Sequence, residues 1–128
     1  MPQPPELYLS GAWSEAWGRE AAQKLLDLAE PPDAIFCGND QIARGAIDCM
    51  REAGVAVPQD ISVVGYDNWE VMAEACRPRL TSIDMNLMEL GREAGRALLQ
   101  LMSGEKLSGV RRLPCSLVVR HSSGPLKH

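Results

Sequence analysis

The segment PDAIFCGNDQIARGA, residues 32–46, is the part of the sequence that most clearly indicates the fold class. It opens with the apolar run AIFC at residues 34–37, which Gly38 ends, and it continues into apolar residues spaced three and four apart. That spacing places the apolar side chains on one face of a helix, because 3.6 residues complete a turn. We therefore predict a buried strand over residues 34–37, a short loop, and an amphipathic helix over residues 41–53 that Gly54 caps.

The same alternation of strand and helix continues on both sides of this stretch. The further predicted strands cover residues 6–9, 61–65, 80–83 and 112–120, and the further predicted helices cover residues 14–29, 70–76 and 87–104. Strands that alternate with helices of these lengths favour a parallel sheet covered by helices, which is a three-layer α/β architecture. A chain of 128 residues is the size of one ordinary domain.

Composition excludes several classes of protein. The chain is 45% hydrophobic and 23% charged, which is typical of globular domains, and its net charge of -4 argues against direct binding to nucleic acid. No apolar run is long enough to cross a membrane, and the first residues lack the features of a secretion signal. Four cysteines without a C-x-x-C pair predict reduced, mostly buried thiols and a cytoplasmic location.

Polar and aromatic residues follow three of the predicted strands. These segments are GAWS at residues 11–14, GND at residues 38–40 and GYDNW at residues 65–69. Ligands of open parallel sheets bind at the carboxyl ends of the strands, so the three loops predict a shared site. A carboxylate, an amide and an indole suit a polyhydroxylated ligand, because they bond its hydroxyl groups and pack on its C–H face.

Each candidate in these loops also has a structural interpretation. Asn39 or Asp40 is suited to cap the following helix, and the pair permits one residue to cap while the other faces the cleft. Asp67 with Asn68 is suited to open the short helix that follows. Trp13 is equally compatible with a half-exposed core position.

The sequence gives no sign of catalysis. It has no nucleophile elbow, phosphate-binding loop or dinucleotide fingerprint, so we predict that the chain is not an enzyme and needs no metal or cofactor. His121 and His128 have no evident Ser or Cys partner. Gly91 and Gly95 form a G-x-x-x-G pattern whose charged neighbours exclude a membrane span, so the pattern predicts close packing between helices.

Four segments carry a resemblance to a known family. Residues 32–46 and GVAVPQDISVVGYDN at residues 54–68 resemble two runs typical of the lactose/galactose repressor (LacI/GalR) family, the second being G-x-x-V-P-x-D-(I/V)-S-V-V-G-(F/Y)-D. RLTSI at residues 79–83 is similar to the family's P-L-T-T-I, with arginine where a second proline is common, and LPCSLVVR at residues 113–120 to its L-P-x-x-L-V-x-R. The order and spacing of the four motifs make the resemblance specific, and it extends over residues 11–120.

The resemblance implies a type I periplasmic-binding-protein-like fold. Residues 11–82 would form the C-terminal lobe of an effector-binding domain, and residues 83–110 would contain a crossover helix that packs on the first lobe. Residues 1–10 would be an opening segment with the first strand, residues 111–121 the closing strand, and residues 122–128 a loose tail. The family's helix-turn-helix head and its first lobe would be absent from this sequence.

The resemblance also implies a function. Members of the family are bacterial repressors in which a small molecule, usually a sugar, controls the affinity for operator DNA. The resemblance assigns ligand contacts to Trp13, Asn39 and Asp67. Tyr66 and Trp69 of the third loop are further candidates. Operator DNA would be bound only through the absent N-terminal head. The alternative is a periplasmic sugar-binding protein of a transport system.

The family also forms homodimers, which bears on the predicted helix over residues 87–104. The apolar stripe of this helix has no first lobe to pack on in this sequence. We expect it to be buried against a second copy, with an exchange of elements between the chains as one route. Fold-back onto its own lobe and a mobile helix in a monomer are the alternatives.

Overall fold

A computed structural model describes residues 4–125 of the protein. The helices and strands, numbered in chain order, are α1 (Glu15–Leu26), β1 (Ala34–Phe36), α2 (Asp40–Glu52), β2 (Ser62–Tyr66), α3 (Glu70–Ala73), β3 (Thr81–Asp84), α4 (Leu87–Met102) and β4 (Ser116–Val118). A 3-10 turn at Pro5–Leu7 precedes them. Every predicted helix is present. The ends of α1 and α3 fall three residues before their predicted positions, and β4 is shorter than the predicted strand.

The four strands form one sheet in the order β1-β2-β3-β4. β1 pairs with β2 in parallel, with Ala34 opposite Ser62, and β2 pairs with β3 in parallel, with Val64 opposite Thr81. The closing strand β4 runs antiparallel to β3. The predicted α/β class with a parallel sheet is therefore confirmed, and an antiparallel edge strand is added to it.

The core lies between the sheet and the pair α1 and α2. Its fully buried side chains come from both layers and include Ile47, Met50, Val63 and Leu80. The two helices approach closely at glycines, because a Cβ atom on Gly45 would lie 2.0 Å from the Glu15 carbonyl oxygen. The apolar face that the sequence predicts for α2 is the face that is buried.

The predicted first strand, residues 6–9, is wrong. Pro5–Leu7 forms a 3-10 turn in which the amides of Leu7 and Tyr8 donate to the carbonyls of Pro4 and Pro5. A strand needs a ladder partner, and within residues 4–125 no backbone hydrogen bond joins this segment to the free edge of β1. A cavity of about 590 Å³ lies between the segment, β1 and the helices, lined in part by Tyr8 and Phe36.

Helix α4 forms where the sequence predicts it, but none of its residues is buried. Its apolar side chains remain in solvent, as Leu98 illustrates with 58% of its surface exposed. No atom lies within 4 Å of a Cβ built on Gly91 or Gly95, so the close packing predicted from their spacing is wrong for the described chain. Within residues 4–125 of this chain, no element covers the apolar stripe of α4.

The chain after β4 is anchored at its first residues. Ser122, predicted to begin a loose tail, is fully buried: its hydroxyl donates to the Val63 carbonyl at 2.6 Å and accepts from the Thr81 amide at 2.8 Å. The expectation of a loose tail is therefore wrong for Ser122. Residues 126–128, which include His128, lie outside the described residues.

Cys37, Cys49 and Cys76 are buried and free, as predicted, whereas Cys115 is exposed beside the edge strand β4. No helix within residues 4–125 is both long enough and apolar enough to span a membrane. The same residues contain no group of three or more His, Cys, Asp or Glu side chains placed to hold a metal ion.

Candidate functional site

The candidate site lies at the carboxyl edge of the parallel strands. β1 and β2 are hydrogen-bonded neighbours that point the same way, so the segments that follow them emerge side by side. These are residues 37–39, which lead into α2, and residues 67–69, which lead into α3. This is where a parallel sheet normally binds a ligand.

Trp13 reaches this edge from the segment before α1. Ser14 caps α1 by accepting a hydrogen bond from the Trp17 amide at 3.1 Å, which fixes the chain on either side. The Trp13 ring lies against Gly38, where a Cβ atom would come within 2.9 Å of the indole. The ring is 68% exposed, so the alternative of a half-exposed core residue does not hold. Trp17 instead packs, with its ring against Gly11.

Asn39 is the N-cap of α2. Its Oδ1 accepts from the Ile42 amide at 2.8 Å, so the capping interpretation is confirmed for this residue. Its side-chain NH₂ group donates to no acceptor within the described part of the chain. The same side chain therefore has a bonded end that faces the helix and a donor end that is available at the sheet edge.

Asp40 is a buried structural carboxylate, with 1% of its surface exposed. It accepts from the Trp69 amide at 2.7 Å and from the Ser82 hydroxyl at 2.5 Å. Burial raises the pKa of Asp40, and these two hydrogen bonds oppose that rise by favouring the ionised form. The residue neither caps α2 nor faces the cleft. It ties α2 to β3 and to the loop that contains Asp67.

Asp67 follows β2 in the left-handed region, with φ 106°, and Asn68 follows it with φ 49°. The Asp67 amide donates to the Ile83 carbonyl at 3.0 Å, while its carboxylate has no hydrogen-bond donor within residues 4–125. Partial desolvation raises the pKa of this carboxyl group. A partly desolvated carboxylate with vacant acceptor positions is suited to receive the hydroxyl groups of a ligand.

The two further candidates differ in their surroundings. Tyr66 packs edge-on against Phe36, with ring centroids 6.4 Å apart, on the sheet face away from the core. Trp69 is held through its amide by Asp40 and leaves half of its surface exposed. Trp69 is therefore better placed than Tyr66 to present an aromatic face at the edge.

The structure adds residues that the sequence analysis did not select. Ser82, Asp84 and Arg120 surround the loop after β2: Ser82 accepts from the Asn68 amide at 3.1 Å, and Arg120 donates to the Asn68 side-chain oxygen at 2.7 Å. The only signal in the sequence was that Ser82 and Arg120 lie within family motifs. Their separation from Asn68 along the chain, 52 residues for Arg120, hid the contact.

The candidate residues lie at one edge of the sheet in two groups, Trp13 with Asn39 and Asp67 with Trp69. Trp13 lies over Gly38 beside Asn39, and Asp40 bonds the Trp69 amide two residues from Asp67. The resulting edge offers an exposed indole, an amide donor and a free carboxylate. Whether the three side chains of Trp13, Asn39 and Asp67 converge within one sugar's breadth stays a prediction.

Comparisons with known proteins show which family the chain resembles. The sequence profile of one family, described as a periplasmic binding protein-like domain, matches residues 2–123. The HTH-type transcriptional repressor CytR of Escherichia coli (strain K12) is 39% identical over 123 residues, which is 95% of this chain and 36% of that protein. This chain thus spans about a third of the length of the curated relatives that it matches.

Two solved structures are similar along most of the chain. The transcriptional regulator CelR in complex with cellobiose superposes with a TM-score of 0.81 at 35% identity, covering 94% of this chain and 37% of that one. The lac repressor dimer bound to operator and the anti-inducer ONPF gives a TM-score of 0.81 at 38% identity, covering 88% of this chain and 39% of that one.

Proposed function

We propose a function from one premise: the chain belongs to the periplasmic binding protein-like domain family, together with the LacI-type transcriptional regulators. On that premise it is the effector-sensing part of a bacterial transcriptional repressor. A small molecule binds at the carboxyl edge of the sheet and alters the affinity of a separate domain for operator DNA. Its relatives are transcription regulators rather than enzymes, and we assign no catalytic residue.

The observation that carries the proposal is the loop after β2. Asp67 is held in a left-handed conformation, and its carboxylate has no donor within residues 4–125. A carboxylate kept partly desolvated and unpaired is costly unless a ligand supplies its hydrogen bonds. Trp13 and Trp69 add exposed indole surface near the same edge.

We propose that the effector is a sugar. Hydroxyl groups on neighbouring carbons donate to the Asp67 carboxylate, and the amide of Asn39 donates to a ring or hydroxyl oxygen. The indole of Trp13 packs against the apolar C–H face of the ring. The similar regulator CelR was solved with the sugar cellobiose, which supports this class of ligand.

The decisive test replaces the free carboxylate. In the full-length gene product, Asp67→Ala is expected to weaken effector binding by roughly one to two decades, since a lost charged hydrogen-bond partner costs about 1.5–3 kcal/mol. Operator binding without effector should be unchanged. Isothermal titration with a panel of mono- and disaccharides measures the first quantity, and a gel shift measures the second.

Asp27→Ala is the matched control, because Asp27 lies at the far end of α1 and its carboxylate accepts a hydrogen bond from the Gln23 side chain, away from the candidate site. Equal effector affinity in the Asp67 and Asp27 variants would contradict the assignment of the site. Nucleosides are titrated beside the sugar panel. If a nucleoside binds and no sugar does, the site stands and the proposed ligand class is overturned.

We also propose that DNA is bound outside this chain. The net charge of -4 disfavours binding to the phosphate backbone, which depends on basic side chains. The isolated chain should therefore give no sequence-dependent gel shift at moderate salt, and one that does would overturn this part of the proposal. Because a repressor acts on chromosomal DNA, the proposed location is the cytoplasm.

A further inference from the structure

The loop after β2 and the start of α4 share one carboxylate. Asp84, the last residue of β3, accepts from the Asn68 side-chain amide at 3.2 Å through Oδ2. Through Oδ1 it accepts from the backbone amide of Asn86 at 2.7 Å. Asn68 is the neighbour of Asp67, and Asn86 is the residue on which α4 begins. A single side chain therefore connects the candidate site to the helix that leaves the core.

Arg120 holds the other end of the Asn68 side chain. Its guanidinium is nearly buried, with 11% of its side chain exposed, and it donates to Asn68 Oδ1 at 2.7 Å. The same group donates to the Leu80 carbonyl at 2.8 Å and to Glu74 at 2.7 Å. Because the guanidinium is planar and rigid, these three bonds fix its position relative to α3 and β3.

The backbone at both ends of this link is in the left-handed region. Asn68 has φ 49° and Asn86 has φ 55°, a region that residues other than glycine adopt infrequently and that asparagine tolerates better than most. Asn68 is held by its amide on Ser82 and by both atoms of its side-chain amide. Asn86 is held by Asp84. The two constrained turns meet at the Asp84 carboxylate.

We propose that Arg120 and Asp84 are positioning residues that hold Asn68 and so orient Asp67, and that Asp84 passes any movement of this loop to the first turn of α4. The inference rests on the proposed function in that Asp67 is taken as the ligand contact. A ligand that draws Asp67 out of its resting position changes the Asn68–Asp84 hydrogen bond. Because Asp84 also accepts from Asn86, the start of α4 shifts with it.

Amide hydrogen exchange on this chain, without any ligand, tests the link directly. Asn68→Gly removes the side chain and keeps a residue that tolerates positive φ. It is expected to raise the exchange rates of the Asn86 and Leu90 amides roughly 3- to 10-fold, the effect of losing about one net hydrogen bond. Leu90 is informative because its amide donates to the Asn86 carbonyl at 3.0 Å, in the first turn of α4.

The matched control is Arg79→Gln. Arg79 bonds Glu74, as Arg120 does, but does not touch Asn68, so the rates at Asn86 and Leu90 should stay at their wild-type values. The Val63 amide, which donates to the Ser122 carbonyl at 2.7 Å in the core, reports whether each variant remains folded. If Val63 also exchanges faster in Asn68→Gly, that variant is replaced by Arg120→Lys. Lysine keeps the positive charge but lacks the guanidinium N–H that donates to Asn68.

A double-mutant cycle separates a relay from two local effects. Asp84→Asn keeps an acceptor for the Asn86 amide but can no longer accept at both ends, so Asn68→Gly should have little further effect at Leu90 in that background. If Asn68→Gly or Arg120→Lys accelerates exchange only at residues 67–69, or if the two changes of the cycle add at Leu90, the relay is overturned. A failed sugar titration would overturn the proposed ligand class, and equal effector affinity in the Asp67 and Asp27 variants would overturn the proposed site; neither result would change the outcome of this exchange experiment.

Discussion

Helices α2 and α4 have similar amphipathic patterns and opposite environments. The 13 residues of α2 include seven buried ones, whereas the 16 residues of α4, which are more apolar on average, include none. The difference lies in the neighbours: α2 has α1 packed on Gly45 and the sheet beneath its apolar face, while no atom of residues 4–125 lies within 4 Å of a Cβ built on Gly91 of α4. An apolar stripe shows that a helix requires a partner but does not identify the partner.

The largest expected effect concerns the exposed stripe of α4, formed by Leu87, Leu90, Leu98 and Leu101. Burying a leucine is worth about 1.5–3 kcal/mol, so leaving the stripe in water forfeits several kcal/mol. We therefore expect the chain to sediment as a homodimer at micromolar concentration, with the two α4 helices covered by the partner copy and elements exchanged as one route. The double change Leu98→Gln and Leu101→Gln should make it monomeric.

Val110→Gln is the control for this experiment, because Val110 is exposed but lies outside α4. A strictly monomeric wild-type chain whose α4 amides are protected from exchange would refute the dimer and support fold-back onto the core. A monomer whose α4 amides exchange freely would show that the stripe has no partner within this chain.

The second prediction compares one chemical change in the two regions. Leu80→Ala is expected to lower the free energy of unfolding by about 2–5 kcal/mol, because Leu80 is fully buried and its removal leaves a cavity. Leu98→Ala should change it by less than about 0.5 kcal/mol at nanomolar concentration and by more at higher concentration, where a dimer would bury Leu98. Urea unfolding at two protein concentrations measures both, and equal losses in both variants at nanomolar concentration would remove the contrast.

The third prediction is that a glycine-to-alanine substitution changes the stability in opposite directions in α2 and in α4. Gly45→Ala inserts a methyl group where the Glu15 carbonyl already lies, so it should destabilise the fold by about 1–3 kcal/mol. Gly91→Ala meets no atom within 4 Å and should stabilise α4 by about 0.5–1 kcal/mol, because alanine favours the helix. Thermal unfolding of the two variants checks the signs. A destabilising Gly91→Ala would show that α4 packs closely against something in solution.

The smallest expected effect is the pH dependence of stability that arises from Asp40, a buried residue. The pKa of Asp40 is raised, chiefly by burial, so the folded state binds its proton more tightly than the unfolded state does. Its contribution to stability is therefore greatest below the ordinary aspartate pKa of about 3.9 and declines as the pH rises through the raised value. In Asp40→Asn this decline should be absent, which urea unfolding between pH 3.5 and 6.5 measures. The same slope in both proteins would contradict the raised pKa.

Much of the fold follows from patterns that are local in the sequence. The apolar run at residues 34–37 and the repeat after it predicted β1 and α2, and Asn39 was correctly among the candidates to cap α2. The strand predicted for residues 6–9 is absent, because a strand requires a hydrogen-bonded neighbouring strand. An alternation of side chains in the sequence does not show whether such a neighbour exists. Ser122 was predicted to be loose because its polar surroundings in the sequence do not reveal its hydrogen bonds to Val63 and Thr81.

The candidate site likewise contains residues that the sequence predicts and residues that only the structure reveals. Asn39 and Asp67 follow strands that the sequence predicts and the structure contains. The strand predicted before Trp13 is absent, so that residue rests on the family resemblance, which assigns all three as ligand contacts. Arg120 and Asp84 were not selected, since each reaches Asn68 only after the chain has returned to the same edge of the sheet. Asp40 was assigned to the cap or the cleft, but the fold closes Ser82 and Trp69 around it.

Local patterns in the sequence were sufficient to predict the succession of helices and strands from α1 onward, the α/β class and the edge at which polar residues collect. These depend on periodicity and on the carboxyl ends of strands, which are set within about a dozen residues. Contacts between distant segments are needed to show that Gly45 rather than Gly91 marks a close helix contact, that Asp40 is buried and that Arg120 holds the loop of Asp67. Those outcomes depend on shape and hydrogen-bond complementarity between segments 29 to 52 residues apart, which no local pattern specifies.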